Sequence, residues 1–128
     1  MPHVNVRINR GATPKVASSF LAALTNAVHE EKGDAVAMIC VTLQADEVLS
    51  FGDDAEAPCA VVDMTATAFD ADITARLTRR FTAVLGDAFG IPAERMYVFF
   101  REVPPELRHM VGWNGKTFLE LRPNIHAV

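Results

Sequence analysis

The sequence predicts an α+β fold, in which a four-stranded mixed sheet carries two helices on one of its faces. A strand, an amphipathic helix and a more apolar strand follow one another in the first third of the chain, and the same order returns in the second third. Two βαβ units of similar length indicate an internal duplication. Right-handed crossovers then place both helices on the same face of the sheet. With 128 residues, the chain is expected to form one domain, residues 1–128.

The first unit opens with a strand at residues 2–8, where apolar and polar side chains alternate. Thr13 and Pro14 supply an N-cap and a first helical residue. Apolar residues at four-residue spacing then predict an amphipathic helix that ends at Gly33. The nearly unbroken apolar run at residues 36–41 predicts a strand that is covered on both faces.

The second unit repeats this order with different residues. Residues 59–65 predict a strand, and Asp70 or Asp72 caps a helix that Gly90 ends. Residues 96–100 form another apolar run, which predicts the fourth strand of the sheet. Its position and character match those of the second strand in the first unit, which supports the duplication.

The remaining segment is too short for a third unit. Residues 111–115 and 117–121 predict two short strands about an Asn114-Gly115 turn. The sheet face opposite the helices is expected to carry apolar side chains, and the chain has no element left to cover it. This arrangement predicts oligomerisation.

Composition limits the possible partners and the compartment. The net charge of −4 argues against nucleic acid as a partner, and no apolar run approaches the length of a membrane span. The first twenty residues lack the continuous apolar stretch of a signal peptide. Cys40 and Cys59 are interpreted as small buried strand residues rather than a disulfide. A cytoplasmic protein is therefore expected, with no metal and no cofactor because no motif for either is present.

Pro2 is the candidate catalytic residue. Removal of Met1 would leave Pro2 with a secondary α-amine, which accepts a proton near neutral pH as an amide nitrogen does not. An α-amine has an ordinary pKa of about 7.7–8.0, and burial in an apolar pocket lowers that pKa further. Such a base suits proton abstraction next to a carbonyl group. The alternative interpretation of Met1-Pro2 alone is a proline tolerated at the start of a strand.

Several short motifs occur in one order along almost the whole chain. They are Met1-Pro2, Phe20-Leu21-x-x-Leu24-Thr25, Leu49-Ser50-Phe51-Gly52, Ala57-Pro58-Cys59-Ala60, Ile91-Pro92-Ala93-Glu94-Arg95-Met96-Tyr97-Val98 and Val111-Gly112-Trp113-Asn114-Gly115-Lys116-Thr117-Phe118. In this order they resemble the macrophage migration inhibitory factor family of the tautomerase superfamily. The resemblance implies a tandem βαβ tautomerase fold that assembles as a homotrimer. Its three sheets would wrap into a barrel, with active sites between subunits.

The resemblance also implies a reaction. Pro2 would move a proton between the α-carbon and the enol oxygen of a 2-oxo acid such as phenylpyruvate, as catalytic base and acid. Thr67 would contribute its backbone N–H, and Tyr97 would come from a neighbouring subunit. The implied substrate-binding residues are Lys32, Thr67, Tyr97, Phe99, Val111 and Trp113. An enediolate-like transition state needs such a base, donors for the oxyanion and an apolar slot.

Three features depart from the family pattern. The usual Cys-x-x-Cys motif is reduced to Cys59-Ala60-Val61-Val62, so a thiol-redox activity is not expected. Asp34 occupies the place where the family has a lysine that holds the substrate carboxylate, and an acidic side chain at the pocket rim would repel an anion. Lys32 lies two residues upstream and substitutes only if the loop bends suitably, while Arg101 and Arg108 in a longer segment are the other candidate cations. Phe99 replaces a common asparagine and makes the pocket more apolar.

These departures leave alternatives open. One is a cytokine-like binding or signalling protein with a vestigial pocket and a protein receptor, which would leave the cell without a signal peptide. Another is a different Pro2-dependent reaction of the superfamily, of dehalogenase or decarboxylase type, with an arginine on the substrate carboxylate.

Overall fold

The computed structural model describes residues 1–121 and confirms the predicted fold class. Its sheet has the strand order β2-β1-β3-β4, with β1 parallel to β2, β3 parallel to β4 and β1 antiparallel to β3. Short 3₁₀ helices precede β2 and β4 and follow β4. The elements are β1 (His3–Ile8), α1 (Pro14–Lys32), β2 (Cys40–Gln44), β3 (Ala60–Ala66), α2 (Ala71–Phe89), β4 (Met96–Glu102), β5 (Gly112–Trp113), β6 (Lys116–Thr117) and α3 (Phe118–Leu121).

Both long helices have the caps that the sequence predicts. The Thr13 side chain accepts a hydrogen bond from the backbone N–H of Val16, and Gly33 ends α1 in the left-handed conformation. At α2 the Asp70 side chain accepts from the backbone N–H of Ile73 at 2.7 Å, so Asp70 rather than Asp72 is the N-cap. The helices bury their apolar faces on one side of the sheet. The core includes Val4, Val6, Ile8, Phe20, Leu24, Val62, Met64, Leu77, Phe81 and Leu85.

The second strand begins later than predicted. Val36–Met38 forms one turn of 3₁₀ helix, and β2 starts at Cys40, where the Cys40 N–H donates to the carbonyl oxygen of Pro2 at 3.0 Å. This strand lies at the edge of the sheet and is only half-buried, so the expectation of a strand covered on both faces is wrong. Cys40 is exposed in this chain, contrary to prediction, whereas Cys59 is buried as predicted.

The predicted C-terminal hairpin is shorter than expected. Asn114 and Gly115 both have positive φ, 56° and 77°, as a two-residue hairpin turn requires. The second strand ends at Thr117 because the Thr117 side chain accepts the N–H of Glu120, which starts a helical turn instead. Phe118, at the start of that turn, is buried.

The sheet face opposite the helices is more polar than the sequence led us to expect. Its exposed apolar surface lies mainly on β4, where Tyr97 and Phe99 stack at 5.6 Å between ring centroids. Elsewhere polar side chains on neighbouring strands hydrogen-bond to each other. These contacts join His3 to Thr42 (2.9 Å), Asn5 to Gln44 (3.2 Å), and Asp63 to Arg7 (3.3 Å) and Arg101 (3.4 Å).

Arg95 fixes the loop at residues 51–58 against the start of β4. Its guanidinium donates to four backbone carbonyl groups of that loop, and it lies 5.8 Å from the ring centre of Phe51. The Phe51 ring in turn contacts Tyr97, with centroids 5.1 Å apart. Arg95 thereby positions a candidate site residue through the loop. Its four acceptors are the carbonyl oxygens of Phe51 (2.8 Å), Asp54 (2.8 Å), Ala57 (3.1 Å) and Pro58 (3.0 Å).

The variant Arg95→Lys should lower the free energy of unfolding by about 2–3 kcal/mol, because a single ammonium group cannot reach all four carbonyl groups. Urea denaturation measures this change. Arg79→Lys, at an exposed position on α2, is the matched control and should change stability by no more than about 0.5 kcal/mol. Equal losses in the two variants would show that the carbonyl contacts add nothing specific.

Candidate functional site

The N-terminus is buried at one end of the sheet. Pro2 is buried and precedes β1 directly. The antiparallel pairing sets His3 opposite Thr65, and continuing that register places Pro2 beside Ala66 and Met1 beside Thr67. The end of α1 and the start of β2 lie at the same end of the sheet, because β1 and β2 are parallel and Cys40 bonds to Pro2. Residues from three separate segments therefore surround the N-terminus.

This environment disfavours a charged amine. Burial lowers the pKa of the Met1 α-amine from 8.0 to about 6, an effect that the positive charge of Lys32 reinforces and the negative charge of Asp34 opposes. A group with such a pKa is mostly unprotonated at neutral pH and can accept a proton. The environment at this end of the sheet is thus suited to a basic nitrogen.

The lowered pKa predicts a pH dependence of stability in the chain that carries Met1. The folded state holds the amine at a pKa of about 6, below its ordinary 8.0, so the unfolded chain binds the proton more readily between these values. Stability should therefore rise as the pH rises from about 6 to about 8. Urea unfolding at several pH values checks this, with α-amine-acetylated protein as the control. A parallel pH dependence in both proteins would contradict the burial of a neutral amine.

Lys32 and Asp34 form a buried ion pair. Their side chains are 1% and 0% exposed. Asp34 Oδ1 accepts a hydrogen bond from the Lys32 ammonium at 3.2 Å, and Oδ2 lies 3.1 Å from the same nitrogen as an ion-pair contact. The left-handed Gly33 turns the chain back under the last helical turn, so Asp34 does not lie at an exposed rim as we expected. From the sequence, Lys32 is a candidate cation for the substrate carboxylate if the loop bends suitably, whereas in the structure Asp34 neutralises its charge.

The two arginines of the longer segment lie in different places. The Arg101 side chain is 73% exposed on the open face of the sheet, 3.4 Å from Asp63. Arg108, on the 3₁₀ helix Pro105–Met110, donates through Nη2 to the carbonyl oxygen of Thr67 at 3.2 Å. Thr67 is only 2% exposed. Of the two arginines, Arg108 therefore lies beside a predicted site residue at the N-terminal end of β1.

Tyr97 and Phe99 do not lie at the N-terminus of their own chain. Tyr97 pairs with Val61, which in turn pairs with Arg7, so Tyr97 lies at the opposite end of the sheet from Pro2 of its own chain. Phe99 is two residues further along β4 on the same open face. Val111 is half-buried, and Trp113 on β5 is 41% exposed. Within one chain, the candidate site is therefore the group of residues at this end of the sheet: Pro2, Lys32, Asp34, Thr67 and Arg108.

Sequence reasoning missed two contacts of this site. The Lys32–Asp34 pair depends on how the Gly33 turn is placed, and the Arg108–Thr67 contact joins residues 41 positions apart. The second contact had no signal in the sequence. Lys32 and Asp34 were both recognised in the sequence, but their spacing of two residues does not by itself indicate that their charges neutralise each other.

No helix within residues 1–121 is long and apolar enough to cross a membrane. Over the same span, no three His, Cys, Asp or Glu side chains lie together in a group that could hold a metal ion.

Comparison with known proteins gives consistent similarities. The family model described as macrophage migration inhibitory factor matches residues 1–119. Macrophage migration inhibitory factor of Xenopus tropicalis is 30% identical over 104 residues, which cover 78% of this chain and 84% of that protein. A macrophage migration inhibitory factor homologue of Prochlorococcus marinus has a similar structure (TM-score 0.82, 26% identity, 91% and 98% coverage). A structure described as "Q0 fused 4-OT wild type symmetric trimer" shares the fold at 22% identity (TM-score 0.79, 91% and 96% coverage).

Proposed function

Because the chain belongs to the macrophage migration inhibitory factor family of the tautomerase superfamily, we propose that it is a keto–enol tautomerase of phenylpyruvate-type 2-oxo acids. The tautomerase-type fold supports an isomerase-type enzyme without specifying its substrate. The observation that supports this specific activity is the N-terminal environment, where burial lowers the pKa of the Met1 α-amine to about 6. Once Met1 is removed, the amine at this end of the sheet is that of Pro2.

In this mechanism the Pro2 nitrogen is both base and acid. Its lone pair takes a proton from C3 of the keto form, the carbon next to the ketone, and the carbon–hydrogen bonding electrons pass into the enolate. The protonated nitrogen then returns the proton to the enolate oxygen, which gives the enol and regenerates the free amine. A pKa near the working pH makes both transfers accessible. The backbone N–H of Thr67 is the proposed donor to the developing oxyanion.

The proposal includes a homotrimer, because a single chain does not complete the site. Tyr97 lies at the far end of the sheet from its own Pro2, so it can serve only the site of a neighbouring subunit. Exposed Tyr97 and Phe99 on the open sheet face support such a contact. A structure described as a symmetric trimer shares this fold. Val111 and Trp113 would then provide apolar walls for the aryl group of the substrate.

The Lys32–Asp34 ion pair favours a second candidate function. A neutralised lysine is a poor partner for a substrate carboxylate, as expected of a vestigial pocket in a binding or signalling protein with a protein receptor. A Pro2-dependent reaction of dehalogenase or decarboxylase type would use the same amine on another acid.

The test is the enol–keto conversion of phenylpyruvate, followed by ultraviolet absorbance, with protein shown by intact mass to lack Met1. We expect conversion well above the rate in buffer alone. A rate equal to that of buffer, with Met1 absent, would refute the tautomerase proposal and favour the binding function or another acid substrate.

A further inference from the structure

We propose that the guanidinium of Arg108 and the hydroxyl of Thr67 together bind the carboxylate of the substrate, and that Lys32 does not. This inference rests on the proposed tautomerase function and deepens it. It names monoanionic 2-oxo acids as the substrate class. It also names Arg108, in the segment that is longer than in the family, as the cation that recognises their carboxylate.

Lys32 is unsuited to binding the substrate carboxylate because its ammonium already forms an ion pair with Asp34. The Lys32 ammonium lies 3.1 and 3.2 Å from the two carboxylate oxygens of Asp34, and both side chains are almost fully buried. A substrate carboxylate would have to displace Asp34, which would leave a buried charge without a partner. Such an exchange replaces one carboxylate by another and yields no net gain.

Arg101 is unsuited because of its position. Its side chain projects from the open face of the sheet, largely into solvent, and contacts Asp63. Arg101 pairs in register with Thr65. Side chains alternate between the two faces of a strand, and Val4 and Val6, in phase with Pro2, lie on the helix-covered face. Arg101 therefore lies on the open face of the sheet, where water already solvates its guanidinium.

Arg108 has both the position and unused hydrogen-bonding capacity. Its Nη2 donates to the carbonyl oxygen of Thr67, while its Nε is buried and has no hydrogen-bond partner among residues 1–121. The Thr67 hydroxyl is likewise buried without a partner in that part of the chain. Buried polar groups without partners are rare in folded proteins and costly. A bound carboxylate accepts hydrogen bonds from a guanidinium and a hydroxyl and so satisfies both groups.

The register brings this pair of donors close to the proposed base. Thr67 directly follows β3, and the continued antiparallel pairing sets it opposite Met1. A carboxylate held by Thr67 and Arg108 therefore lies beside the end of the chain. In a 2-oxo acid the proton that is removed lies on C3, which is bonded to the ketone carbon C2, and C2 carries the carboxylate. A carboxylate anchored there therefore leaves C3 near the amine of a chain that begins at Pro2.

The test compares phenylpyruvate with its methyl ester, which lacks the negative charge. Arg108→Ala should reduce kcat/KM for the acid by about 10- to 100-fold, mainly through KM, because a charge-assisted hydrogen bond is lost. The same variant should change kcat/KM for the ester by less than about 3-fold. Thr67→Val, which keeps the shape of the side chain and removes the hydroxyl, should reduce kcat/KM for the acid by about 3- to 10-fold.

Arg101→Ala is the matched control, since it removes an arginine of the same segment from the open face; we expect less than about a 3-fold change with either substrate. A lower kcat/KM for the acid in Arg101→Ala, with no change in Arg108→Ala, would overturn the inference. Equal reductions of kcat/KM for the acid and the ester in Arg108→Ala would also overturn it. Circular dichroism of each variant separates a binding effect from misfolding.

The failure of this inference is distinguishable from that of the tautomerase function. Unchanged turnover of phenylpyruvate by Arg108→Ala would refute the carboxylate site and leave the tautomerase intact. If the protein does not convert phenylpyruvate, calorimetric titration still measures whether it binds this acid. Binding that depends on Arg108, in a protein with no turnover, would refute the tautomerase and support the carboxylate site.

Discussion

A protein with one alanine inserted between Met1 and Pro2 should lose about 10²- to 10⁴-fold in kcat for phenylpyruvate, which is the usual contribution of a general base. After removal of Met1 the alanine acylates the Pro2 nitrogen, and an amide nitrogen takes up no proton near neutral pH. The fold should not suffer, because the described structure itself carries one residue ahead of Pro2. The ultraviolet assay with phenylpyruvate measures the loss.

Pro2→Gly is the companion variant for this experiment. It keeps an α-amine at the same place after removal of Met1 but lacks the ring that fixes the direction of the lone pair, so it should also lose activity. Thermal unfolding of both proteins verifies that they are folded. An inserted alanine that leaves phenylpyruvate turnover at the level of the processed protein would exclude the Pro2 nitrogen as the base.

Lys32→Met should reduce the free energy of unfolding by about 3–5 kcal/mol, although Lys32 lies at the end of a helix. The substitution leaves the fully buried carboxylate of Asp34 without its partner. Removing one member of a buried ion pair costs more than removing both, because the remaining charge is desolvated and uncompensated. Urea denaturation of the single and double variants measures the difference.

The double variant Lys32→Met/Asp34→Leu is the control, since it replaces both charges with apolar groups. It should recover most of the stability lost in Lys32→Met. A loss below about 1 kcal/mol in Lys32→Met would indicate a solvated pair and would reopen Lys32 as a carboxylate ligand.

The sequence was sufficient for the fold because its signals are local. Alternation in β1, the Thr13 cap and the Gly33 stop each depend on a few neighbouring residues, and the structure has all three. The start of β2 was misplaced because the apolar run at residues 36–41 shows no boundary. The hydrogen bond from Cys40 to Pro2 that begins the strand joins distant residues.

The site was less accessible to sequence reasoning because its interactions depend on three-dimensional placement. Asp34 was recognised as a departure from the family, yet its burial against Lys32 follows from the turn at Gly33 rather than from composition. Arg108 was one of several candidate cations, and its contact with Thr67 and its buried Nε separate it from the exposed Arg101. The polar character of the open face was also missed, since strand alternation gives a side chain's face but not its partners.

The proposed tautomerase mechanism depends most directly on the Pro2 amine as the base. The decisive measurement is the pH dependence of kcat/KM for phenylpyruvate, beside a ¹⁵N NMR titration of the Pro2 nitrogen in protein lacking Met1. We predict that kcat/KM falls as the pH is lowered, with the same midpoint as the nitrogen titration and below the ordinary α-amine value of about 8. If the Pro2 nitrogen titrates while kcat/KM stays constant, the Pro2 amine is not the catalytic base.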